Sequence, residues 1–255
     1  MEQNETKALT TFEASKQKFE MACERAQKLE LANNVSAAFT AVDIVSTLRE
    51  ALTPEIMQKV FMPLMNTKIG FLTDRNGKAR SGGRPALPLY SVDVVRDCLI
   101  DAVSNGLLAT GNQFNIIAER MYPTKEGYTA LLKKIGAKYL LNFGNDQSQT
   151  PGLAEIPVTI NFEYRGEKKS FKIIASLKKD EYSSMDQLKG KAERRAKKVL
   201  YEYLTGCDLG EADETSSEPI DVEYEEQPAQ PTNINATIAK MQTKQAQPTD
   251  VQMDI

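Results

Sequence analysis

Helix-forming Ala, Leu, Glu, Lys and Gln dominate the polar and apolar positions of residues 1–52, which predicts helix with a break near Asn33-Asn34. In its second half Val35, Ala38, Val42, Val45 and Leu48 form an amphipathic stripe. Pro54 sits at the favoured first-turn position of a further helical stretch over 55–65. Ser91 is placed to cap a helix whose stripe is Val92, Val95, Leu99, Ala102 and Val103, ending at Asn105-Gly106. The segment 113–122, with Phe114, Ile116 and Ile117, predicts a single strand. Thr124 then caps the helix KEGYTALLKKI, which stops at Gly136. A strand follows over 138–143.

The period changes to two further on. Val158, Ile160, Phe162 and Tyr164 alternate, Arg165-Gly166-Glu167 turns the chain, and Phe171, Ile173, Ala175 and Leu177 alternate back, so a β-hairpin is expected. Ser184 and Gln187 form a capping box for a helix with Leu188, Ala192, Ala196, Val199, Leu200, Tyr203 and Leu204 on one face, stopped by Gly206. At 100° per residue, Lys191, Arg194 and Lys198 fall on the opposite side, with Arg195 at its edge. Beyond it the chain is acidic, rich in Gln, Thr and Pro and poor in aromatic residues, so disorder is expected there. The fold class expected is α+β: a small antiparallel sheet, a hairpin plus further strands, packed with helices. Three regions result: a helical N-terminal region 1–52 suited to oligomerisation, an α+β core 53–206, and an acidic tail 207–255 suited to protein interaction.

Charge divides along the same lines. The 255 residues sum to −3, yet 1–164 hold 18 basic and 18 acidic groups, 165–198 hold 12 and 5, and 207–255 hold 2 and 11. The folded part's excess therefore lies on the hairpin's second half and the following helix, the footprint of a polyanion binder. Between Lys189 and Lys198, Glu193 is the one acid among six basic residues, so pairing along the helix cannot neutralise it. Lys172, Lys178 and Lys179 of the hairpin, with Lys168 and Lys169, are expected to join the same surface. Phosphate-backbone binding is favoured over a merely solvated helix face. The segment 73–89 carries Arg75, Lys78, Arg80 and Arg84 among three Gly and two Pro, a mobile basic loop. Of the aromatic residues, Phe114, Phe162 and Phe171 fit the core, whereas Tyr122 and Tyr182, at element ends, fit base stacking equally well.

Absences narrow the chemistry. With no His, the chain has no Ser-His-Asp or Cys-His catalysis and no His-bearing zinc site. Cys23, Cys98 and Cys207 form neither a CxxC pair nor a disulfide framework, which fits a reducing cytosol. Neither GxxxxGK[ST] nor a GxGxxG after a strand occurs, which argues against Walker-type ATP hydrolysis. Asp93, Asp97 and Asp101 share a helix face but read as solvated rather than as a metal centre. No signal peptide and no apolar run of membrane-spanning length is present, so a soluble, cytoplasmic protein without a catalytic site, a cofactor or a membrane contact is expected.

Two ordered motifs carry a resemblance. GLLATGNQFNIIAERMYPTKEGYTALL, residues 106–132, is similar to the signature region of RecT-family phage recombinases, and LKGKAERRAKKVLYEYLTG, residues 188–206, resembles their basic closing helix. With the strands between, the resemblance covers about 55–206. It implies an ATP-independent protein that coats single-stranded DNA, assembles into rings or filaments, and anneals complementary strands. The partners it implies are a 5′→3′ exonuclease and the host single-strand-binding protein, in a bacterial or phage-infected cell. Carried onto this chain, Lys189, Lys191, Arg194, Arg195 and Lys198 would line the nucleic-acid groove, supported by Lys172, Lys178 and Lys179. Arg75, Arg80 and Arg84 would close over the strand or bridge subunits. Reversing Lys191, Arg194 and Lys198 together is then expected to abolish single-strand binding without unfolding the chain.

Two other readings stand beside it. The order helix 124–135, three strands, basic helix follows that of double-stranded-RNA-binding domains, although the His-containing loop of that domain has no counterpart here. An adaptor acting through its acidic tail is the third. The tail suits either a protein partner or screening of the chain's own basic patch.

Overall fold

The computed structural model describes residues 2–29, 35–77 and 85–210, with side chains from Phe12 onward. Of the tail expected to be disordered from 207, residues 207–210 are instead packed, Cys207 and Leu209 against the core and Asp208 against Lys198; the rest of it and the basic residues Lys78, Arg80 and Arg84 lie outside the described residues. Helix α1 (Glu2–Lys28) and helix α2 (Val35–Ala51) pack on each other, flanked by ion pairs from Lys18 to Glu50 (2.8 Å) and from Arg25 to Asp43. The buried stripe on α2 is rotated from the expected one. Ala37, Ile44, Leu48 and Ala51 are buried, whereas Ala38 is exposed and Val42 is 67% exposed. Ala22 and Ala26 on α1, both fully buried, fit a close approach of these two helices.

Pro54 does begin the third helix, α3 (Pro54–Ile56), with the Thr53 hydroxyl accepting from the Ile56 N–H; it runs on through a π-type turn (Met57–Phe61) and a 3₁₀ turn (Met62–Leu64). A short strand β1 (Leu72–Thr73) then pairs in parallel with β2 (Phe114–Ile117), which pairs antiparallel with β3 (Arg120–Pro123). Between β1 and β2 runs helix α4 (Val92–Ser104), capped by Ser91 as its sequence predicts.

The single strand expected over 113–122 is thus a hairpin. Its turn residues Ala118 and Glu119 have φ of 49° and 65°, a left-handed pair that costs about 1 kcal/mol at each non-glycine position. Tertiary contacts hold that turn. The Ala118 N–H donates to Asp74 Oδ2 (3.3 Å), the Glu119 N–H to the Tyr90 hydroxyl (3.1 Å), and the Arg75 guanidinium to Glu119 Oε1 (3.1 Å).

Helix α5 (Lys125–Lys134) begins at the Thr124 cap. The second sheet follows in sequence order as β4 (Lys138–Phe143), β5 (Leu153–Tyr164) and β6 (Glu167–Lys178), all antiparallel, and α6 (Met185–Thr205) closes the chain. Even-numbered residues of β5 and odd-numbered residues of β6 face inward onto α6, as their alternating burial shows. One continuous buried cluster runs from Ala22 and Ile44 through α4 and both sheets to Tyr201, so the N-terminal helices share the core of the rest. The architecture is α+β.

Candidate nucleic-acid interface

Helix α6 carries the basic residues, and its ends form as the local sequence dictates. The Ser184 side chain and the Gln187 side chain make the reciprocal capping box, and Gly206 ends the helix at φ 72°, where a Cβ would be strained. Its flanks are occupied from two directions. Tyr203 meets the rings of Phe162 and Phe171 on the sheet, while Tyr201, 200° around the helix by its spacing, meets Tyr128 of α5. Only a restricted sector is left for solvent.

Three of the six basic residues between Lys189 and Lys198 are consequently internal. Arg195 is 4% exposed and donates to the Ser176 carbonyl on β6, an edge strand that it helps to cover. Lys197, 6% exposed, donates to Thr129 Oγ1 of α5 (2.8 Å) and to Glu193, and lies over the Tyr139 ring. Lys198, 7% exposed, pairs with Glu202 at 3.3 Å and with Asp208 at 3.5 Å. The expectation that Arg195 and Lys198 line an open groove is therefore corrected. Burial of a cation is tolerated only with such partners, and removing the cation itself leaves them uncompensated at a cost of about 3–5 kcal/mol. Reversal of Lys198 would unfold this corner rather than report on binding.

That corner should titrate. Burial pushes the Glu202 carboxyl up from 4.5 to about 7, helped by its hydrogen bond with Asp208 and opposed by Lys198, while the Gly210 N–H and Lys198 hold Asp208 low. A carboxyl raised in the folded state contributes stability that is complete below about 4.5 and is lost as pH rises through about 7. Glu202→Gln should therefore melt with the parent chain at pH 4 and above it at pH 8, as measured by thermal unfolding.

Lys189 and Lys191 are exposed and Arg194 is half-buried. Lys191 and Arg194 line a groove of about 750 Å³ between the β2–β3 hairpin, the start of α5 and the approach to α6. Tyr122 and Tyr182 line it too, and Tyr182 is 89% exposed. Asn115 and Tyr122 are cross-strand partners, so both project to the groove side, while Phe114, Ile116 and Met121 are buried on the other face. Lys125, in the first turn of α5, adds a third cation that the charge count along the sequence passed over, since it lies outside the basic segment. Two carboxylates also line the groove. Asp180 is held low by the Ser183 hydroxyl, the Tyr182 N–H and the nearby Lys191, and Glu126 lies 3.9 Å from Lys125.

The remaining predicted residues do not converge on this groove. Lys172 and Lys178 sit at outward positions of β6, paired with Thr159 and Leu153, on the sheet face turned away from α6. Alternation along the strand decides this, because the inward positions are Phe171, Ile173, Ala175 and Leu177. Lys179 pairs with Asp146 at 3.1 Å, whose carboxylate is held low by the Glu155 and Ser148 N–H groups and by Lys179 itself. Arg75 is anchored on the Tyr90 ring (4.2 Å) and on Glu119, so it is a foot of the basic loop rather than a moving part. Arg80 and Arg84 lie outside the described residues.

Burial pushes the Cys98 thiol up to about 12 and the Cys23 thiol up to about 11, which suppresses the reactive thiolate. Asp97 and Asp101 border a cavity of about 400 Å³ with Glu119, Tyr122 and Gly210, yet among the described residues no group of three His, Cys, Asp or Glu could hold a metal ion. A further cavity of about 460 Å³ lies at the C-terminal ends of α1, α4, α5 and α6; Lys134 reaches across it to the Ala26 carbonyl (2.8 Å), a cation placed where helix carbonyls collect. Among the described residues no helix is long and apolar enough to cross a membrane.

Comparison of the chain with family models, with curated proteins and with solved structures finds no match.

Proposed function

We propose that the protein binds single-stranded DNA along the groove between the β2–β3 hairpin and α6 and promotes annealing of complementary strands without ATP. The observation that carries this reading is the coincidence, in one groove, of Lys191, Arg194 and Lys125 with the tyrosines Tyr122 and Tyr182. Cations at the groove neutralise phosphates, and exposed aromatic faces stack unpaired bases for about 1–3 kcal/mol each. Both terms are indifferent to sequence, which leaves base pairing to supply recognition. The resemblance of residues 106–132 and 188–206 to RecT-family recombinases points the same way. It extends the proposal to cytoplasmic homo-oligomers working beside an exonuclease and a single-strand-binding protein. No cofactor is invoked.

Two complementary oligonucleotides mixed with the protein, without nucleotide, should anneal faster than alone, and the affinity for one strand should fall with salt at a log–log slope near −0.7 for each phosphate contacted. An annealing rate that the protein leaves unchanged overturns the proposal.

A double-stranded-RNA-binding role is favoured by one observation. The order α5, β4, β5, β6, α6 reproduces the succession of such domains, and Tyr139 of β4 reaches Thr129 of α5, so both helices lie toward the inward side of the sheet. Titration against oligo-dT, duplex DNA and duplex RNA separates the readings: preference for oligo-dT supports annealing, and preference for duplex RNA supports the alternative.

A further inference from the structure

The described chain ends at a place that bears on the groove. After Gly206 the segment 206–210 folds back: Asp208 pairs with buried Lys198, and Leu209 packs on the core. Leu209 and Gly210 border the cavity that Tyr122 also borders, and Tyr122 is at the same time part of the groove lining. The tail therefore starts one side chain away from the Lys191–Arg194 groove. Its first sixteen residues, 211–226, contain eight carboxylates (Glu211, Asp213, Glu214, Glu218, Asp221, Glu223, Glu225 and Glu226) and no cation. Extended, sixteen residues span roughly 50 Å, ample to lie along the groove from that root.

We propose that residues 211–226 dock in the groove and compete there with single-stranded DNA. This rests on the reading of the groove as a polyanion site. Tethering makes the competitor's effective concentration on the order of millimolar, so even a weak contact is occupied when DNA is absent. Single-stranded DNA displaces it by offering phosphates and stackable bases together, where the tail offers carboxylates alone. Such a competitor lowers affinity for short or scarce strands and releases the groove on long ones, whose contacts extend over more than one subunit. Salt screens the tail and the DNA alike, so the effect is greatest at low ionic strength.

The test uses the full-length chain with the eight carboxylates changed to their amides (E211Q, D213N, E214Q, E218Q, D221N, E223Q, E225Q and E226Q). At about 50 mM salt its affinity for a short oligo-dT should exceed the parent's about tenfold, and the gap should close as salt rises. A labelled peptide of residues 211–226 should bind this amide chain and should lose binding when K191E and R194E are added. An unchanged oligo-dT affinity, or peptide binding that survives K191E and R194E, overturns the proposal. Where neither chain binds oligo-dT at all, the annealing reading fails, and the peptide measurement alone decides the docking.

Discussion

The double variant Lys191→Glu with Arg194→Glu is expected to lose oligo-dT affinity by at least about 100-fold at moderate salt while remaining folded. Two charge-assisted contacts are each worth about 1.5–3 kcal/mol, and reversal adds repulsion to their loss. Lys191 is exposed and Arg194 is half-buried, both on the part of α6 that faces the groove rather than on its flanks against α5 and the sheet. Fluorescence anisotropy measures the affinity, and circular dichroism confirms the fold. A loss of less than threefold in a folded protein would remove the groove from the binding surface. Lys172→Glu, on the far face of the sheet, is the matched control and should change affinity little. The triple reversal including Lys198 is not an equivalent test, because Lys198→Glu would set a third carboxylate beside Glu202 and Asp208.

Gly127→Ala should be the most damaging small substitution in the same neighbourhood. A Cβ at that position would stand 2.0 Å from the Gln113 carbonyl oxygen and 3.2 Å from Leu107 Cδ2. The oxygen cannot withdraw easily, since it accepts the Thr124 N–H at 3.0 Å and thereby joins the start of β2 to the start of α5. Overpacking against backbone costs about 3 kcal/mol, a fall in melting temperature of about 6–12 °C for a chain of this size. Thr124 and Lys125 sit in the same turn and line the groove, so single-strand binding should weaken along with stability. Gly190→Ala supplies the contrast. Nothing lies within 4 Å of a Cβ there, and an alanine inside α6 should raise stability by roughly 1 kcal/mol. Scanning calorimetry of the two variants reads both signs, and a neutral Gly127→Ala would mean that α5 does not abut the Gln113 carbonyl.

The close approach at Gly127 also explains part of the signature motif. In KEGYTALL the glycine admits backbone contact, and the tyrosine after it is Tyr128, fully buried and packed on Tyr201 of α6. That pair is scaffolding for the groove. Tyr122 and Tyr182, which no local pattern claimed for the core, are the ones left at its surface.

What the sequence determined by itself is everything carried by neighbours within about four residues. The caps at Ser91, Thr124 and Ser184, the left-handed stop at Gly206, and the alternation on either side of Arg165-Gly166 each act locally, and each element formed where expected. The α+β class followed from them. Tertiary structure alone decided the rest. The β2–β3 turn has no glycine, and its left-handed pair is stabilised by Asp74, Tyr90 and Arg75, the last two 29 and 44 residues away from Glu119. The α2 stripe turned because another helix, not periodicity, chose which face to bury. The +7 segment became three environments for a similar reason. Strand alternation sent Lys172 and Lys178 to the outer sheet face, while Thr129, Ser176 and Asp208 drew Lys197, Arg195 and Lys198 inward. A charge count locates basic residues along the chain, but a cation's exposure depends on which polar groups the fold brings within hydrogen-bonding distance, and that is settled only when α6 is wedged between α5 and the sheet.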